Sequence, residues 1–162
     1  SDDSTLTLDV VKQLITNGIS LKDTIQSVNA LLRIKNRNDM FTTLDMIEVN
    51  LVLGTSTFIK YGSCPTYIIR NHQIIEIESK SLPIGIVSPI DVSIHKEKLV
   101  ENDIVIMISD GFSHQFKDFL KENEYLIGDD HPKDIAQLLM HLASQEEKND
   151  DMTIIVVKLC KQ

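Results

Sequence analysis

The sequence predicts an α+β fold in which antiparallel sheet is flanked by helices. Three observations predict it. Two amphipathic helical patterns between residues 4 and 34 are joined by a short turn. Strand-like runs between residues 46 and 77 follow one another through tight connections, which suits an antiparallel meander and not βαβ units. Two β-branched runs, Ile104–Ser109 and Met152–Leu159, read as buried strands on either side of a third amphipathic helix.

From Thr5 to Asn17 the apolar residues Leu6, Val10, Leu14 and Val11, Ile15 recur at helical spacing, and Gly18 is placed to end the helix. Ser20 and Asp23 form a capping-box pattern for a second helix, with Ile25, Val28 and Leu32 as its buried stripe. The pair is expected to lie antiparallel as a cover on a sheet. Lys35–Asp39 reads as a loop, and Phe41–Leu53 as extended chain with alternating faces. Gly54-Thr55 turns into Thr57–Tyr61, and Gly62-Ser63-Cys64-Pro65 breaks that strand. Thr66–Arg70 and Gln73–Ile77 are strands joined at Asn71-His72, and Val92–His95 is a short edge strand. Phe112, Phe116, Phe119 and Leu120 have helical spacing and read as core. Asp129-Asp130 with Pro132 marks a helix entry, followed by the stripe Ile135, Leu138, Leu139 and Leu142.

Composition narrows the function. The chain has 162 residues, enough for one domain with a sizeable core, and its hydrophobic content of 42% is ordinary for a globular protein. It contains no apolar run of the ~18 residues a membrane span needs, so it is expected to be soluble and to make no membrane contact. A net charge of −8 and the absence of a basic run argue against nucleic acid as a partner. Cys64 and Cys160 are far apart and read as free thiols, and no two of the five histidines stand at metal-ligand spacing. A metal bound here would take oxygen ligands, which points to Mg²⁺ or Mn²⁺.

The acidic residues at strand ends carry the chemistry. The run from Ile104 ends at Asp110-Gly111, and the last strand begins at Asp150-Asp151. If these strands are antiparallel neighbours, Asp110, Asp150 and Asp151 converge. Gathering such charges is unfavourable unless a cation sits among them. A hard divalent ion there suits hydrolysis of a phosphate ester. Taken singly, Asp110 reads equally well as a turn former, while Asp150-Asp151 reads more readily as a solvated turn, and it is the two together that favour a metal.

The ordered set resembles a known family. Ser109-Asp110-Gly111 after a buried strand, then Asp150-Asp151-Met152-Thr153 opening the last one, resembles the metal-dependent (type 2C, PPM) serine/threonine phosphatases. Phe41-Thr42-Thr43-Leu44-Asp45, Gly62-Ser63-Cys64-Pro65, Leu82-Pro83-Ile84-Gly85-Ile86 and the early helix pair follow the order of the bacterial branch typified by stage II sporulation protein E. The resemblance covers Leu6 to Leu159. It implies a β-sandwich flanked by helices and a single phosphatase domain over 1–162, with the helix hairpin at 4–34 and sheet and helices at 41–159. It also implies a two-metal Mn²⁺ or Mg²⁺ site with Asp110 and Asp150 as catalytic metal ligands and Asp151 beside them. A phosphoserine anti-anti-sigma factor is the implied substrate, in bacterial signalling or sporulation, and the early helix hairpin is the implied entry point for regulation. A cytoplasmic location is expected, within a parent open to membrane anchoring, and a homodimer is a candidate assembly.

The sequence also departs from that family. Members carry an earlier strand ending in Asp-Gly, whose Asp bridges both metals, and Asp110-Gly111 is the only Asp-Gly here. The expectation is a chain lacking the first strands of the domain, weakly active or inactive by itself; the alternative is a catalytically inactive regulatory or binding module. His114 stands where relatives often carry an acidic residue, and its spacing suits an exposed helix position.

Overall fold

The computed structural model describes residues 2–35, 41–112, 115–127, 130–146 and 151–160. Two compact units emerge. One collects Ser1–Glu48, Thr57–Ser63 and Ser79–Lys96; the other collects Val49–Ser56, Cys64–Glu78 and Glu97–Gln162.

The first unit begins with α1 (Asp2–Thr16) and α2 (Leu21–Lys35). Helix α1 ends as its sequence requires. Gly18 takes φ +78°, and the amides of Gly18 and Ile19 close back on the carbonyls of Ile15 and Leu14 at 2.9 and 3.0 Å. That is a Schellman turn, which only a residue free of Cβ adopts without strain. Helix α2 starts on Ser20, whose Oγ accepts the Asp23 amide at 3.1 Å while its hydroxyl donates to the Asp23 carboxylate at 2.6 Å. The stripe Ile25, Val28 and Leu32 is buried as expected. It packs with Val11 of α1 and with Leu44, Ile59, Tyr61, Ile84 and Ile90, so the hairpin covers sheet residues.

One polar residue of α2 sits inside that core. Asn29 is 3% exposed. Its Oδ1 accepts the Gly85 amide at 2.9 Å and its Nδ2 donates to the Val87 carbonyl at 3.0 Å. The same loop is held elsewhere by an antiparallel bridge between Thr42 and Ile84, by the Gly62 amide on the Ser81 carbonyl, and by the Tyr61 hydroxyl on the Asp91 carbonyl. These bonds pin the Leu82–Ile86 loop, which contains both Pro83 and Gly85.

The run Phe41–Leu53 is not extended throughout. Its strand, β1, spans Leu44–Asn50. Leu51, Val52 and Leu53 form a turn and are 80%, 92% and 63% exposed. The cause is Asn50, whose side-chain oxygen accepts the amides of Val52 and Leu53, while its carbonyl accepts the Gly54 amide at 2.8 Å. An Asx turn of this kind outcompetes the strand that the apolar side chains suggest. Strand β2 (Thr55–Tyr61) returns beside β1, and strand β5 (Ile94–Lys98) completes a sheet of order β1-β2-β5. Strand β5 is at an edge, as expected of Val92–His95, and begins two residues later.

The break at Gly62–Pro65 does more than end a strand. Strands β3 (Thr66–Arg70) and β4 (Gln73–Ile77) belong to a different sheet from β1 and β2. The expected single meander is therefore two hairpins in two sheets. Asn71 and His72 take φ +48° and +62°, the left-handed pair that a two-residue hairpin turn demands.

The second unit is built on the sheet β4-β3-β6-β7, antiparallel throughout, where β6 is Ile104–Ile108 and β7 is Ile154–Lys158. All five residues of β6 are buried, as its unbroken apolar run requires. Helix α3 (Phe116–Asn123), a 3₁₀ turn (Glu124–Leu126) and helix α4 (Pro132–Glu146) supply the rest of its core. Phe112, Phe116, Phe119, Leu120, Ile135 and Leu139 pack with Tyr67, Ile104, Ile106 and Ile108. Phe112 meets Phe116 edge-on at 5.0 Å between ring centroids. Asp103, 1% exposed, is neutralised by Arg70, whose Nε and a terminal nitrogen reach it at 2.9 and 2.6 Å, and it also accepts the Val100 amide. The architecture is thus mixed helix and antiparallel sheet, as the sequence predicts. Much of the Lys35–Asp39 loop, His114 and Asp129 of the Asp129-Asp130 pair lie outside the described residues.

Candidate metal centre

The convergence of acidic strand ends depends on one topological fact, that β6 and β7 are antiparallel neighbours. They are. Ile104 pairs with Lys158, Ile106 with Val156 and Ile108 with Ile154. The end of β6 therefore lies beside the start of β7.

Hydrogen bonds carry the pairing past the strands. The Ser109 amide donates to the Thr153 carbonyl at 3.0 Å, and the Thr153 amide donates to Ser109 Oγ at 2.9 Å. The Ser109 hydroxyl reaches the Asp151 carbonyl at 3.4 Å. Beyond Ser109 the chain turns, with the Phe112 amide returning to the Ser109 carbonyl at 3.3 Å. Phe112 anchors one side of this turn in the aromatic core, and Met152 packs against the same core from the other strand.

Gly111 occupies the tightest point. A Cβ built there would overlap the carbonyl group of Asp151. A glycine directly after the strand-end acid Asp110 suits a sharp turn. The structure shows that what needs the absent side chain is the main chain of Asp151. Sequence reasoning also leaves Ser109 without a role. Its only signal is a hydroxyl directly before the strand-end acid.

Asp110 and Asp151 are both exposed and stand on the two segments that this contact joins. Asp150 lies outside the described residues. Among the described residues no three His, Cys, Asp or Glu side chains gather to hold a metal ion. The chemistry of the donors nevertheless fits a hard divalent cation, since both side chains offer carboxylate oxygens to solvent. The close passage at Gly111 brings the main chains of the two acid-bearing segments together.

The family description "Stage II sporulation protein E (SpoIIE)" matches residues 4–159. This chain belongs to the stage II sporulation protein E family. It is 30% identical over 166 residues to the stage II sporulation protein E of Priestia megaterium, covering 97% of this chain and 28% of that protein. The chain thus spans little more than a quarter of that relative's length. Among solved structures it resembles the PP2C phosphatase domain with a fragment of the regulatory domain of SpoIIE from Bacillus subtilis, with a TM-score of 0.86 at 29% identity over 97% of this chain and 49% of that one. It also resembles the Mn-presoaked phosphatase domain of the same SpoIIE, with a TM-score of 0.68 at 28% identity over 96% of this chain and 73% of that one. The region matched in this SpoIIE-family chain is thus the phosphatase region of its relatives. Among its described residues no helix is long and apolar enough to cross a membrane.

Proposed function

We propose that this SpoIIE-family chain is the greater part of a metal-dependent protein phosphatase domain acting on phosphoserine or phosphothreonine. The observation that carries the reading is the β6–β7 pairing, which joins the Asp110 and Asp151 segments through Ser109 and Gly111. Family membership and likeness to a Mn-presoaked phosphatase domain support it.

Asp110, Asp150 and Asp151 are the residues that would hold Mn²⁺ or Mg²⁺, in a two-metal site of the complete domain. Bound there, the ions supply the Lewis acidity and charge neutralisation that phosphoester hydrolysis needs. The protein's own contribution is to carry the acids at the adjoining ends of two antiparallel strands, β6 buried and β7 partly buried. The substrate in this reading is a small phosphorylated regulatory protein of the anti-anti-sigma type, met on the cytoplasmic side, and residues 1–162 form the C-terminal portion of a single phosphatase domain.

The test is phosphate release from a phosphoserine protein of that type by the complete parent protein. Release that requires Mn²⁺ or Mg²⁺ and stops with EDTA is expected. Residues 1–162 alone, which contain a single Asp-Gly, are expected to turn over weakly or not at all. The second reading, a phosphatase-like regulatory module without catalysis, takes its support from that single Asp-Gly. Calorimetry separates the two, because an inactive module would bind no pair of ions.

A further inference from the structure

We propose that Ser109 is a positioning residue for the metal centre, setting the separation between the Asp110 and Asp151 segments through its side-chain oxygen. The inference rests on the phosphatase reading above and adds a residue to it.

The geometry is specific. Register between β6 and β7 ends at Ile108 and Ile154, so regular strand pairing no longer fixes the residues beyond them. At Ser109 the side chain takes over. One main-chain bond, from the Ser109 amide to the Thr153 carbonyl, continues the ladder. The returning Thr153 amide goes not to a carbonyl but to Ser109 Oγ, at 2.9 Å. This substitution frees the Ser109 carbonyl, which accepts the Phe112 amide and so closes the turn that carries Asp110. The same Oγ directs its proton toward the Asp151 carbonyl at 3.4 Å. One hydroxyl thus touches the main chain on both sides of Met152, while its own backbone closes the Asp110-Gly111 turn.

The opposing contact is Gly111, whose missing side chain lets the Asp151 carbonyl come in. Ser109 draws the two segments together and Gly111 permits the approach. An alanine at 109 would keep the main-chain bond to Thr153 and lose both side-chain contacts. A threonine would keep the hydroxyl. Groups that orient metal ligands from behind typically change affinity by about 10- to 100-fold when removed.

The experiment is Mn²⁺ calorimetry on the complete protein as wild type, Ser109→Ala and Ser109→Thr, with the melting temperature of each metal-free form measured alongside. Expected is a Mn²⁺ affinity about tenfold or more weaker in Ser109→Ala and close to wild type in Ser109→Thr, with metal-free melting temperatures that agree. A Ser109→Ala protein that binds Mn²⁺ like wild type overturns the proposal. So does a lowered melting temperature with unchanged affinity, which assigns Ser109 to strand pairing alone. Absence of Mn²⁺ binding in the wild type overturns the phosphatase reading itself and the positioning role with it. Should Ser109→Ala not fold, Mg²⁺ titration of the wild type followed by amide NMR decides. Shifts at Ser109 and Thr153 are expected, and amides there that stay in place as Asp110 responds would overturn the role.

Discussion

Gly111 and Asp151 meet main chain to main chain, so closely that the smallest side chain at position 111 would overlap the Asp151 carbonyl. The contact lies beyond the last paired residues of β6 and β7 and joins the two segments that carry the exposed acids. Neither partner can yield easily, because Phe112 and Met152 tie both segments to one aromatic core.

Gly111→Ala should therefore push the Asp151 segment away. The overlap is with backbone, not with the flexible end of a side chain. A loss of about 1–3 kcal/mol in stability is expected, as for other overpacked sites, together with weakened Mn²⁺ binding. Urea unfolding and calorimetry of the complete protein measure the two effects. A variant as stable as wild type would show that the segments separate freely.

Asp110→Asn should do the reverse, sparing the fold and damaging the site. Asp110 is exposed, and nothing in the core depends on its charge. Severe loss of Mn²⁺ affinity and phosphatase activity is expected, with an unchanged circular dichroism spectrum and a melting temperature close to wild type. Retained activity with the same metal dependence would remove Asp110 from the site.

Asn29 is the polar residue on which the loop after β4 depends. Its amide supplies an acceptor to Gly85 and a donor to Val87 at once, a combination that neither aspartate nor leucine offers. Asn29→Leu, of similar size, should cost about 1–3 kcal/mol through the two unpaired backbone groups it leaves. Hydrogen exchange should rise across residues 84–87 more than in either helix of the hairpin. Uniform exchange along the chain would mean that Asn29 serves only bulk stability.

Tyr67 predicts a limit in alkaline solution. Burial raises its phenol pKa to about 12, with the negative charge of Glu76 adding to the effect. Between the ordinary value of 10.0 and about 12, the unfolded chain has released this proton and the folded chain retains it. Stability is therefore complete below pH 10 and falls as pH rises through that window, by on the order of 2 kcal/mol from this group. Tyr67→Phe should flatten the slope of stability against pH there. An identical slope in both proteins would place the proton loss elsewhere.

How much of the fold is legible in the sequence depends on how locally each element is determined. Strands β3, β4 and β6 lie where β-branched composition puts them, and the α2 stripe is buried to within 1% of full enclosure at Ile25, Val28 and Leu32. The turn at Leu51–Leu53 escapes a reading by hydrophobicity, which says nothing of a competing hydrogen-bond acceptor, and Asn50 supplies one. The partition of the hairpins between two sheets is a long-range property that adjacent turns do not encode. At the site, the adjacency of the Asp110 and Asp151 segments can be reached from a single assumed strand pairing. The parts played by Ser109, Gly111 and Asn29 cannot, since each acts on main-chain atoms distant in sequence.

The pairing of β6 with β7 also ties the tolerance of the chain to insertion and deletion to its chemistry. Each step along β7 matches one step along β6, from Lys158 opposite Ile104 to Ile154 opposite Ile108. Losing one residue within β7 would move every later partner to the other face of the sheet or withdraw Asp151 from Gly111 by one position. Length changes that a surface loop absorbs would here exchange the half-buried Ile154 for the exposed Ile155 and part the acids in the same event. Selection for a stable sheet and selection for a working site therefore act on the same spacing, and neither can drift without the other.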